Sequence, residues 1–224
     1  VRSLEEFLSH GGKLIVTLAG AMSTAEIGRS LAPAIRAGLV HAISCTGANL
    51  EEDLFNLIAH ESYEKIDWRN LTAEDEVNLQ KRGLNRVTDT CIPESEAIRV
   101  VENILLQQWL KAEKNCETHP PHHYLFDVIN SDDVEFQANP EESWLVAAQQ
   151  MQIPIFTPAW ADSTLGNIFS ARLIDGTISS DKIITTDLQR MGDIATWYHE
   201  QESSLGILQV GGGVAGDFPI CVVP

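Results

Sequence analysis

The chain has 224 residues, 44% hydrophobic and 21% charged, and its 32 Asp and Glu against 15 Lys and Arg give a formal charge of -17. That length and apolar content support one domain with a full core and exclude disorder as the default. The acidic excess excludes nucleic acid as a partner, because phosphate contacts require clustered cations, and suits a cationic small substrate.

Lys13 to Leu18 is a short apolar run without strict alternation, the pattern of a strand buried on both faces. In the stretch that follows, Ser23 and Glu26 have capping-box spacing, which predicts a helix start. Val40 to Cys45 is a second strand of the same kind, with Asn49 as cap candidate three residues before Glu52. Ser62 to Pro93, polar and carrying Trp68, reads as an excursion from the sheet. Ser95 to Lys114 is predicted helical, since Ile98, Val101, Leu105 and Trp109 recur at 3- and 4-residue spacings. Asn115 to His123 is broken by Pro120-Pro121 and reads as a second excursion. Its His119, His122 and His123 sit on a proline-broken loop without a matching set of acidic or cysteine partners, so no metal is expected. Asn139-Pro140-Glu141-Glu142 supplies an N-cap, a proline at N1 and an acidic first turn. Ile153 to Thr157 and Gly206 to Val210 complete the set of strands.

Strand and helix therefore alternate, which predicts an α/β domain over residues 1–224 with a doubly wound, mainly parallel sheet and helices on both faces. Cys45, Cys91, Cys116 and Cys221 form no C-x-x-C pair and no signal-peptide pattern opens the sequence, so a cytoplasmic setting is expected. No apolar run approaches the ~20 residues that span a bilayer.

Ligands of such sheets collect at the carboxyl ends of the strands. The first end offers Gly20, Ser23 and Thr24, where free amides and hydroxyls can receive a phosphate. The second offers Thr46, Gly47 and Ala48, then Glu51-Glu52-Asp53. Those three acids read either as first-turn helix acids or as a site for an ammonium group. The third leads to Asp162, placed to meet a ribose hydroxyl or to cap the next helix, and the fourth to Gly211-Gly212-Gly213 and Asp217. Jointly the four ends suit a dinucleotide.

Leu18 to Gly28, the run Thr46-Gly47-Ala48-Asn49-Leu50-Glu51-Glu52-Asp53, Asn85-Arg86 with Ile92-Pro93, Asp162-Ser163-Thr164-Leu165-Gly166 and Gly211-Gly212-Gly213-Val214 together resemble the deoxyhypusine synthase family. The likeness runs through almost the whole chain in order and looks closest to the bacterial deoxyhypusine synthase-like branch, whose members are often associated with homospermidine formation. It implies a Rossmann-like fold and NAD used without net redox change. The 4-aminobutyl group of spermidine is held as an imine on a lysine and passed to an acceptor amine. By this resemblance Ser23, Thr24, Thr46, Gly47, Ala48, Glu52, Asp162 and Gly212 meet the cofactor, and Glu51 and Glu52 hold the polyamine, in a homotetramer.

Asn167 stands where the eukaryotic enzymes carry an aspartate contacting spermidine, and Asp217 where they carry a histidine. The departures favour putrescine, giving homospermidine, over a protein lysine, giving deoxyhypusine. The family's lysine segment would lie beyond Pro224, and the chain is expected to lack N- and C-terminal parts of the full family domain. Lys182 is no substitute: an imine needs a lysine held neutral by burial or a neighbouring charge, and the polar Ser179-Ser180-Asp181 turn predicts neither. The alternative is an inactive homologue that binds NAD or polyamine as a sensor or oligomer partner.

Overall fold

Lys13–Leu18 becomes the central strand, β1, because its apolar and β-branched residues fit a pleated surface covered on both sides, and all five after Lys13 are buried. The computed structural model describes residues 2–222. The remaining strands are β2 (Ala42–Cys45), β3 (Glu64–Lys65), β4 (Leu84–Val87), β5 (Thr90–Pro93), β6 (Ile155–Phe156) and β7 (Leu205–Val210). The helices are α1 (Arg2–Ser9), α2 (Gly28–Arg36), α3 (Gly47–Ala59), α4 (Ala73–Lys81), α5 (Arg99–Asn115), α6 (Pro121–Ile129), α7 (Trp144–Met151), α8 (Thr164–Ile174), α9 (Asp187–His199) and α10 (Val214–Ile220).

The main sheet has the order β6-β2-β1-β7 and every pairing in it is parallel. Leu18 lies opposite both Cys45 and Val210, and Ser44 opposite Phe156, so the four strands finish along a single edge. From β1 the chain builds outward through β2 and β6, then returns to place β7 on the other flank. The crevice between the ends of β1 and β7 is thus the switch point at which such sheets receive ligands.

Alternate residues of the strands feed two cores. Leu14, Val16, Leu18, Ile43, Cys45 and Ile155 join a large one shared with Ile35 of α2, Leu54 of α3, Trp109 of α5, Leu125 of α6, Trp144 of α7 and Leu165 of α8. Ile15, Ala42 and Phe156 face a smaller one closed by Ile194 of α9 and Phe218 of α10. Each such side chain, fully buried, contributes roughly 1.5–3 kcal/mol. The fold is therefore α/β with helices on both faces, as the strand and helix alternation predicts.

Ser62 to Pro93 does leave the sheet, and forms an antiparallel one of its own in the order β3-β5-β4, with α4 started by a Thr72–Asp75 capping box. Two helix starts away from the strand-end loops differ from expectation. Arg99 begins α5, preceded by one wide π turn over Glu94–Ile98, although Ile98, Val101, Leu105 and Trp109 are buried as their spacing predicts. Asn139 caps only the 3-10 turn Pro140–Glu142, and α7 starts after Ser143, whose hydroxyl accepts from the Val146 amide. Among the described residues no helix is long and apolar enough to cross a membrane.

Candidate active site at the carboxyl edge of the sheet

Thr46, not Asn49, is the N-cap of α3: its hydroxyl accepts from the Asn49 amide and donates to the Gly20 carbonyl at 2.6 Å. Asn49 is fully buried and acts on the end of β1. Its Nδ2 lies 3.2, 3.1 and 2.8 Å from the carbonyl oxygens of Leu18, Ala19 and Gly20, and its Oδ1 accepts from the Ser23 amide at 3.0 Å. One side chain thus satisfies the groups left open where β1 stops, and sets the path of the loop after it.

Ser23 does not start a helix. Residues 20–27 form successive turns, α2 begins at Gly28, and Glu26 adopts a left-handed φ of 56°. The Ser23 hydroxyl instead donates to the Asn49 carbonyl at 2.7 Å and accepts from Trp144 Nε1 at 2.9 Å. With 2% of its surface exposed, Ser23 shapes the loop from within. Thr24 is half-buried and donates to the Glu52 carboxylate.

The acids after Asn49 lie past the first turn of α3 and are buried, with 2%, 6% and 6% exposure for Glu51, Glu52 and Asp53. They are therefore not first-turn helix acids. Consecutive helical residues point about 100° apart, so the three carboxylates reach three different elements. Glu51 accepts the amides of Thr164 and Leu165, both at 2.8 Å, and completes the N-terminus of α8. Asp53 accepts from the Ser143 hydroxyl and from the Leu145 amide at the start of α7. Glu52 is held by Thr24 of the loop after β1 rather than by a helix start. Burial raises all three pKa values, Glu52 to about 7 and Asp53 to about 6, against the hydrogen bonds that favour their charged forms.

Ser163 rather than Asp162 caps α8, accepting from the Gly166 amide at 3.1 Å. Asp162 stays exposed, and shares with Asn167 the wall of a cavity of about 550 Å³ whose other side carries Glu94, Arg99, Glu102 and Arg172. Asn167 spends its Nδ2 on the Ala161 and Ser163 carbonyls. The α3 and α8 loops are pressed together: a Cβ on Gly47 would lie 2.5 Å from Ser163 Cβ.

Gly211 and Gly213 take φ values of 83° and 77°, open to glycine at no steric cost. A Cβ at Gly211 would strike Ala19 Cβ at 2.8 Å, whereas Gly20, Gly212 and Gly213 face open space. The crevice between β1 and β7 is thus walled by bare backbone, which suits a pyrophosphate resting on main-chain amides. Asp217 is exposed and rides on α10, against the opposite face of the sheet from α8. Ser23, Thr24, Thr46, Asp162 and Gly212 accordingly belong to the loops of one edge and Gly47, Ala48 and Glu52 to the first two turns of α3, while Glu51 is turned to α8 and Asp217 stands apart from Asn167.

His119 stacks on His123 with ring centroids 4.1 Å apart, and burial pushes His122 down to about 3. Among the described residues no group of three or more His, Cys, Asp or Glu could hold a metal ion. The contacts of Asn49, Trp144 and Glu102 carry no motif, and only folding reveals them.

The model of the deoxyhypusine synthase family matches residues 1–223. A deoxyhypusine synthase-like protein of Cyanothece sp. is 26% identical, aligned over 98% of this chain and 55% of its own length. The "Probable deoxyhypusine synthase 2" of Methanosarcina acetivorans is also 26% identical, over 90% of this chain and 54% of its own. The chain thus spans about half the length of the curated relatives it matches. The crystal structure of a deoxyhypusine synthase candidate from Entamoeba histolytica shares the fold, with a TM-score of 0.59 and 16% identity over 91% of this chain and 58% of that one. With its family match extending over nearly every residue, this chain belongs to the deoxyhypusine synthase family.

Proposed function

We propose that this chain supplies the NAD and polyamine floor of an aminobutyltransferase, which moves the 4-aminobutyl group of spermidine to an acceptor amine. The observation that carries the reading is Glu52, a buried carboxyl with a pKa near 7 beside loops of bare backbone at the sheet's switch point. Family membership supports it.

NAD held by these loops would supply the hydride acceptor for oxidation of the amine-bearing carbon and the hydride donor for reduction of the final imine. The chain's own residues do the rest. Amides of the glycine loop and of the Gly20 turn receive the pyrophosphate, Asp162 accepts from a ribose hydroxyl, and Thr46, Gly47 and Ala48 form the wall between them. An ammonium group beside Glu52 favours its carboxylate, so amine binding and loss of the Glu52 proton are coupled. Thr24 fixes where that carboxylate points. Glu51, occupied by two α8 amides, acts by holding Asp162 and Asn167 in place rather than by touching the amine. Asn167, neutral where a second carboxylate would sit, favours a small acceptor such as putrescine over a protein lysine. The working assembly is a homotetramer.

Lys182 is exposed, whereas the lysine of an imine step needs burial or a neighbouring charge, so we do not assign that step to it. That exposure favours a second reading, a homologue that binds NAD or polyamine without turnover. Full-length protein incubated with spermidine, NAD and putrescine should release diaminopropane and form homospermidine. Binding without release of diaminopropane, whatever acceptor amine is offered, overturns the transferase and leaves the binding module.

A further inference from the structure

The cavity beside Asp162 contains a charge network that the strand-end site does not explain. Glu102, 3% exposed on α5, accepts from Arg99 Nη1 on one oxygen and from Arg172 Nη2 (2.5 Å) and Nε (3.2 Å) on the other. Arg99 also meets Glu94 at 2.5 Å, and Arg172 meets Asp175 at 2.8 Å. Burial works to raise the Glu102 pKa, but the hydrogen bonds from Arg172 and Arg99 prevail and hold its carboxyl below the usual range. Glu102 is thus an anion shared by two guanidinium groups that line the same cavity as Asp162 and Asn167.

Asp162 has no salt-bridge or hydrogen-bond partner for its carboxylate among the described residues, although two arginines border its cavity. The Asn167 Oδ1 is likewise free, since that side chain's hydrogen bonds run through Nδ2. Arg172, held by Asp175 and Glu102, lines the same cavity as Asn167 and Asp162. An unrestrained guanidinium there would close on the carboxylate, the fork matching it bidentately.

We infer that Glu102 is a positioning residue that draws Arg99 and Arg172 away from Asp162 and Asn167, keeping both open as acceptors for a donor-rich ligand. The inference rests on the reading of this edge as a cofactor and amine site. The ligand group is a hydrogen-bond donor, either a ribose diol of NAD or an ammonium of spermidine, and separate titrations distinguish the two.

The charges fix the direction of each variant. Glu94, Glu102 and Asp162 face Arg99 and Arg172 around the cavity. Glu102→Gln removes the negative charge that Arg99 and Arg172 share and leaves them only Glu94 and Asp175, so the ligand that uses Asp162 should bind about tenfold more weakly. Arg172→Gln leaves Glu102 paired with Arg99 and removes a competitor, so the same ligand should bind more tightly, by up to about tenfold. A strut that merely ties α5 to α8 predicts the opposite for Arg172→Gln, namely weaker binding from both variants.

The test is calorimetric titration of full-length protein with NAD and with spermidine separately, for wild type, Glu102→Gln, Arg172→Gln, and Glu102→Gln in an Asp162→Asn background. Support is opposite signs for the two single variants on one ligand, with the Glu102→Gln effect gone when Asp162 is already Asn. Weaker binding in both single variants, or no change in either, overturns the inference while the site stands. Failure of the wild type to bind either ligand overturns the site and the inference with it. If Glu102→Gln does not fold, Arg99→Gln and Arg172→Gln carry the test, because each leaves Glu102 one partner, and weaker binding in both is the refuting result.

Discussion

Glu52 is 6% exposed and is hydrogen-bonded by Thr24. Burial raises its pKa from the ordinary 4.5 to about 7. The unfolded chain ionises this group at its ordinary value and the folded chain only near neutrality. Charging it therefore costs the native state nothing well below pH 4.5 and the full amount above pH 7. Integrated over the titration, that cost is about 1.4 kcal/mol at pH 5.5 and about 3.4 kcal/mol at pH 8.5. Glu52→Gln keeps the shape and an acceptor for Thr24 but has no charge to bury. Relative to wild type, the variant should gain about 2 kcal/mol of stability on going from pH 5.5 to pH 8.5. Glu51 and Asp53, also raised by burial, titrate in both proteins, and the Glu51 charge that helps to raise Glu52 is part of the effect measured. Urea unfolding followed by tryptophan fluorescence at the two pH values measures the difference. If variant and wild type differ equally at both, Glu52 is not a buried acid with a raised pKa and the account of the site's electrostatics is wrong.

The same proton should appear in binding: at pH 6.5 wild type should release most of one proton on taking up spermidine, read from binding heats in buffers of different ionisation enthalpy, and no release would separate Glu52 from the amine. Gly212→Ala places its Cβ in open space, so the melting temperature should stay within the equivalent of ~0.5 kcal/mol while NAD affinity falls about tenfold or more; unchanged affinity would move the cofactor elsewhere. Asn49→Ala strips hydrogen bonds from the end of β1 and should cost roughly 2–4 kcal/mol in a denaturant titration. Gly47→Ala drives a Cβ to 2.5 Å from Ser163 Cβ and should cost roughly 1–3 kcal/mol, with loss of activity from the displaced α8 loop. A neutral effect of Gly47→Ala on the thermal melt would show that α3 and α8 can part without penalty.

The α/β architecture was readable in the primary structure because burial on two faces forces continuous apolar runs, and helices between such runs carry 3.6-residue periodicity. Lys13 to Leu18 and the Ile98, Val101, Leu105, Trp109 stripe are examples. The loops that hold the candidate site were also visible, since glycines, hydroxyls and acids recur wherever a strand stops. Which atoms those residues spend on structure was not. Ser23 with Glu26 fits a capping box by spacing, yet the Ser23 hydroxyl bonds to Asn49 and Trp144, residues 26 and 121 positions away. Asn139 fits a helix start, yet Ser143 is the residue that caps α7.

The run Glu51-Glu52-Asp53 shows the division most clearly. Composition and order determined that an acidic segment would follow a strand end, because three carboxylates in succession need no partner to be recognised. Tertiary packing decided their fates: helical geometry sends them about 100° apart, and α8, the Thr24 turn and α7 each capture one. Likewise Arg99 and Glu102 pair locally as i,i+3 neighbours on α5, whereas Arg172 of α8 reaches Glu102 only through the tertiary fold. Periodicity is a local property and survives in the linear order, whereas a hydrogen-bond partner is settled by distances between segments that only the folded chain brings within 3 Å.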